Sequence, residues 1–163
     1  MRKQRKKKRR KLPLANQRVS NDESPWHPAV YDSRYVMEFK ARTEERFRPM
    51  DGLNQFEIED IVRDFIEKTL IANGVDAVIR DVVISGSRCR GLEREDSDLD
   101  VVVELMCDER EDVLFDMLHE DELCIGGVVV DINPITNAKT GTLEDYLPGV
   151  EEYLSGKSER RGR

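Results

Sequence analysis

Cysteine and histidine are scarce in this chain of 163 residues, with three of the first and two of the second. Cys89, Cys107 and Cys124 make no C-x-x-C pair, and the histidines are His27 and His119, too few ligands at workable spacing for a structural zinc site. The three cysteines fit no disulfide framework, so a reducing cytoplasm is the expected compartment. Long apolar runs are missing as well. The longest, VVISG from Val82 and VVVEL from Val101, are strand-length and far short of the roughly 20 residues a membrane span requires. The N-terminus begins with charge and has no apolar stretch behind it, so no secretory signal is expected.

Basic residues are abundant only at one end. Residues 2–11, RKQRKKKRRK, hold nine basic side chains and no acid, whereas the rest of the chain has 18 Lys and Arg against 34 Asp and Glu, a net charge of −16 within a whole-chain value of −7. A body this acidic is a poor reader of phosphate backbones. The basic block is expected to make weak, sequence-insensitive contact with nucleic acid.

Length suits one domain. Residues 1–50 carry little periodicity and are expected to form a basic and polar, largely disordered extension, with a short helix conceivable over 35–47. Periodicity begins after Pro49 and Gly52. Phe56, Ile58, Ile61, Val62, Phe65, Ile66 and Thr69 recur at three and four residues and predict an amphipathic helix over 54–72, closed by Asn73-Gly74. Strands are then expected over 77–85, 99–105 and 128–135, a turn with a short helix through Arg94, and a helix over 108–120. Thr142 and Asp145 make a capping box for a last helix toward Leu154, which Pro148 either kinks or splits. The last eight residues, 156–163, are expected to fray. This alternation predicts an α/β (α+β) domain over 54–155, with a small mixed β-sheet and flanking helices.

The stretch GSRCRGLEREDSDLD, from Gly86 to Asp100, carries the chemistry. Gly86 and Gly91 have Walker-loop spacing, but Leu92 and Glu93 stand where that loop requires Lys and Ser or Thr. Asp96 to Asp100 imitate a calcium hand until Val101 and Cys107 occupy its glycine and glutamate positions. Nucleotidyl transfer asks for what is present. On a strand Asp98 and Asp100 share one side while Leu99, Val101 and Val103 turn to the core. Two such carboxylates repel unless a divalent cation lies between them, and magnesium suits a few carboxylates plus phosphate oxygens. Asp131, in VVVDINP, is the candidate third ligand, which would allow two metals.

The set Gly86, Ser87, Arg90, Gly91, then Ser97, Asp98 and Asp100, followed by Asp131 at the end of a strand, resembles the minimal nucleotidyltransferases of the DNA polymerase β superfamily. The resemblance spans roughly Phe56 to Tyr153. It implies a polymerase β-like core, with Gly86, Ser87, Arg90 and Ser97 binding the nucleotide. It also implies that Asp98, Asp100 and Asp131 are the catalytic metal ligands, Asp131 serving in addition as base. Two Mg2+ ions, or Mn2+, would be the cofactors, ATP the donor and AMP the group moved to an acceptor hydroxyl, which in some small members belongs to a partner protein.

Plainer readings stand beside these. Taken alone, Asp98 and Asp100 would be a solvated turn. Arg88, Arg90 and Arg94 have Glu93, Glu95 and Asp96 as alternative ion-pair partners, and only Arg90 is assigned to phosphate. His119 is expected to be a surface or capping side chain, Cys89 incidental, and Trp26 an aromatic in a disordered segment. The alternative to an enzyme is a non-catalytic, antitoxin-like scaffold of the same fold that binds a partner, with nucleic acid held by the basic tail.

Overall fold

The computed structural model describes residues 33–161; the basic block at 2–11 and the Trp26 segment lie outside the described residues. Four helices surround a four-stranded mixed sheet, an α+β arrangement. Among the described residues no helix is long and apolar enough to cross a membrane.

Helix α1, Arg34–Arg46, buries Val36, Phe39 and Thr43 on one face, so the packed part of the chain begins well before residue 54. Its apolar stripe is short, and the Thr43 hydroxyl, donating to the Phe39 carbonyl at 3.1 Å, occupies a core position that hydropathy does not reveal. Helix α2, Gln55–Ala72, matches its expected bounds. Asn54 accepts from the Glu57 N–H while the Glu57 carboxylate accepts from the Asn54 N–H, each at 2.9 Å, and Ile58, Val62, Ile66 and Leu70 form its buried stripe.

Strand β1, Val78–Ser85, runs antiparallel to β2, Leu99–Met106. A single 3-10 turn, Ser87–Arg90, lies between them, shorter than the helix expected through Arg94. Helix α3, Glu111–Leu118, is also shorter than expected, because no side chain caps its N-terminus. It carries the chain across to β4, Val128–Thr136, which pairs in parallel with β2. A two-residue strand, β3 at Cys124–Ile125, forms a hairpin with β4. The strand order is β1-β2-β4-β3. Strand β2 is central and buried from Leu99 to Leu105 except at Asp100, so its apolar residues pack on both faces of the sheet.

Helix α4, Leu143–Arg161, continues unbroken through Pro148 and well past Leu154, so residues 156–161, expected to fray, are helical. Its start is doubly fixed. The Thr142 hydroxyl and N–H both meet the Asp145 carboxylate, at 3.0 and 3.1 Å, and the buried Glu104 of β2 accepts from the Leu143 N–H at 3.0 Å. Pro148 and Gly149 lower helix stability by about 3 and about 1 kcal/mol relative to alanine. Anchoring of Leu143, Leu147 and Leu154 in the core offsets that loss.

Candidate active site

Strand register builds the site. Ser85 pairs with Asp100 across β1 and β2, and Asp100 pairs with Asp131 across β2 and β4. Directly opposed residues project to the same side of a sheet, so Ser85, Asp100 and Asp131 make one row across three strands. Asn133, two residues beyond Asp131, lies on that same face. Asp98 sits one residue before the strand, exposed on the approaching turn, rather than on the strand as expected.

The cleft above this row has a volume of about 460 Å³. Ser85, Gly86, Asp100, Asp131 and Asn133 line it together with Phe115 and a stripe of α4. Burial, then the charges of Asp131 and Asp98, push the Asp100 carboxyl up to about 6, with Lys157 opposing. A carboxyl group shifted in this way inside a cleft is a frequent mark of function. Among the described residues, however, no three His, Cys, Asp or Glu side chains are grouped as a cation's ligand set. Asp100 and Asp131 face each other across the strands, and Asp98 lies near enough for its charge to act on Asp100.

Gly86 fits against Asp100. Its φ of 69° and ψ of −166° belong to a region that is essentially glycine's alone, and a Cβ placed there would lie 2.1 Å from the Asp100 Oδ2. Ser87 follows at the start of the 3-10 turn, 8% exposed. The loop back to β2 is held by Arg88, whose Nε and Nη2 donate to the Ser97 carbonyl at 3.2 and 2.9 Å. The Ser97 hydroxyl accepts from the Arg94 N–H at 2.9 Å, so this side chain shapes the loop.

The structure directs Arg90 away from phosphate. Its guanidinium donates to Glu151 at 2.8 Å and Thr43 at 2.6 Å and lies 4.4 Å over the Phe39 ring, tying α1, the turn and α4 together. Arg90→Ala is therefore expected to destabilise the fold by about 1–2 kcal/mol, since it removes one of the two guanidinium partners of Glu151, Arg42 remaining, and uncovers an aromatic ring. Nucleotide-induced stabilisation should be unchanged. Denaturant melts with and without magnesium nucleotide check both statements, and a variant as stable as the parent but blind to nucleotide would restore the phosphate role.

His119 is the residue that sequence reasoning passed over. It does cap α3, its Nδ1 lying 2.7 Å from the Phe115 carbonyl, but its Nε2 also meets Asp131 Oδ1 at 2.8 Å. The ring stacks on Phe115 with centroids 3.9 Å apart. A carbonyl can only accept, so Nδ1 is the donor there, and the 2.8 Å contact of Nε2 with Asp131 needs a further proton, on Nε2 or on the carboxylate. A histidine closing a helix just before the strand that bears a candidate ligand was the available signal. Cys89 is buried, and burial pushes its thiol up to about 12, which removes it as a nucleophile.

A family model described as a nucleotidyltransferase domain matches residues 62–151. No curated protein matches the chain.

Proposed function

The chain belongs to the nucleotidyltransferase domain family, and from that premise we propose that it moves a nucleoside monophosphate, AMP from ATP, to an acceptor hydroxyl with release of pyrophosphate. What supports the reading is the Ser85–Asp100–Asp131 row lying against the Gly86 turn in a single cleft. The donor set fits a hard divalent cation: the groups facing one another are carboxylate oxygens, and burial, then the charges of Asp131 and Asp98, raise Asp100. Asp98, Asp100 and Asp131 would hold magnesium. When bound, the metal supplies charge neutralisation at the phosphates and a more acidic acceptor hydroxyl.

The chain's own groups do the rest. Ser87 and the N–H groups of the turn receive the phosphates as a backbone nest, at a position that Gly86 keeps clear. The acceptor oxygen bonds to the α-phosphorus while the bond to the bridging oxygen breaks and its electron pair leaves with pyrophosphate. Asp131 takes the hydroxyl proton through the oxygen that His119 leaves free.

Full-length protein incubated with magnesium, a nucleoside triphosphate labelled on the α-phosphate and cell lysate is expected to yield a labelled acceptor and pyrophosphate. Asp98→Asn should yield neither. Equal labelling by Asp98→Asn would overturn the site. A parent that neither binds nucleotide nor labels any acceptor would leave the partner-binding scaffold as the better reading.

A further inference from the structure

Part of the cleft lining has a composition that phosphate and metal chemistry does not use. Helix α4 carries two adjacent stripes. Leu143, Leu147 and Leu154 are buried in the core, whereas Tyr146, Gly149, Val150 and Tyr153 line the cleft at helical spacing. Tyr153 is 55% exposed and Phe115, across the cleft on α3, 41%, so the fold leaves two large rings uncovered beside the acidic row. Between the tyrosines the wall is missing. A Cβ built on Gly149 meets no atom within 4 Å, and Tyr146 and Tyr153 are about 10 Å apart along the axis. Below the gap stands Asn133, one amide hydrogen donated to the Tyr146 hydroxyl at 3.0 Å. The amide can offer a ligand its second hydrogen and its carbonyl oxygen, the groups with which asparagine reads adenine.

We propose that the Tyr146–Gly149–Tyr153 stripe, with Phe115 and Asn133, seats the base of the nucleotide, and that Gly149 is the residue that keeps the seat open. This rests on the nucleotidyl-transfer reading and adds to it where the base lies and what selects it. Triphosphate and base share one cavity, the first against Gly86 and the aspartates, the second stacked on the exposed Tyr153 ring and the face of Phe115 that His119 leaves open. Stacking on aromatic rings accepts any base, so Asn133 supplies the preference for adenine and the rings supply the affinity.

Comparison of magnesium ATP with magnesium tripolyphosphate, which has the phosphates and no base, isolates the seat. In the full-length parent ATP should bind about tenfold more tightly than tripolyphosphate, in line with stacking of one base. In Gly149→Leu the new side chain fills the gap, and the two ligands should bind alike while tripolyphosphate affinity stays at the parent value. Gly149→Ala puts one methyl group into open space and improves the helix, so it should melt at or above the parent temperature and report that the position tolerates a side chain. If Gly149→Leu does not fold, Tyr153→Ala removes an exposed ring and should show the same loss of the ATP advantage. An ATP advantage that survives Gly149→Leu or Tyr153→Ala, or a parent that binds both ligands equally, overturns the seat and leaves the transfer reading standing. A parent that binds neither ligand overturns the transfer reading and the seat with it.

Discussion

Gly86→Ala is expected to lower stability by about 2–4 kcal/mol, from a backbone conformation alanine rarely adopts and a side chain forced into occupied space, and to abolish transfer. The added Cβ would lie 2.1 Å from the Asp100 Oδ2 and 2.9 Å from its Cβ and Cγ. Rotating the carboxylate relieves the first contact only; the second is to an atom fixed to the strand, so backbone must move. Either response takes Asp100 out of the row it forms with Ser85 and Asp131. Denaturant unfolding of the purified variant, with turnover measured well below its midpoint, checks both effects. A Gly86→Ala chain with parental stability and turnover would mean that the turn does not press on Asp100.

Asp100→Asn should make the metal-free protein more stable at neutral pH and less active. Asp100 has its folded-state pKa raised from 3.8 to about 6 by burial first and by Asp131 and Asp98 next. Between those values the native state binds more protons than the unfolded chain, so this group's contribution falls as pH rises from about 4 to about 6. Below that window the carboxyl is neutral in both states and nothing is lost. The whole shift would correspond to about 3 kcal/mol, but Asp100 retains substantial contact with water, and screening reduces this to about 1 kcal/mol. The asparagine variant is thus expected to exceed the parent by about 1 kcal/mol at pH 8 and to equal it near pH 3.5 to 4. Turnover should fall at least about a hundredfold, because a group that holds the cation is gone. Stability curves against pH in the presence of chelator, paired with turnover at pH 8, decide the matter. A variant less stable than the parent at pH 8 would show that Asp100 is satisfied within the chain and needs no cation.

Elements held together by near neighbours were legible in the sequence. Helix α2 announces itself by its period and by Asn54 and Glu57 three residues apart, and the apolar runs of β1, β2 and β4 end within a residue or two of their expected bounds. The Gly86-Ser87 turn was legible at the end of an apolar run, and Asp131 was the candidate third carboxylate, but the register that pairs it with Asp100 comes from the fold. What escaped was decided by distant partners. Arg90 sits in a motif that suggests phosphate, yet Glu151 and Thr43 claim it from helices far along the chain in both directions. His119 looks like an ordinary helix end until β4 brings Asp131 beside it. The helix at 35–47 was legible but its burial was not, because part of that burial is supplied by the guanidinium lying on Phe39. The last turns of α4 carry glycine and charge, and their continuation follows from the anchored leucines earlier in the same helix.

The parallel pairing of β2 with β4 also orders events in time. β1 and β2 are consecutive, joined by residues 86–98 with Arg88 tied to Ser97, whereas β4 reaches β2 only after α3 and the β3 hairpin have carried the chain across. The longer closure carries the larger loop entropy. The contact that completes the sheet also brings Asp131 beside Asp100, so cations added during refolding are expected to speed that contact and to leave the β1–β2 ladder unaffected.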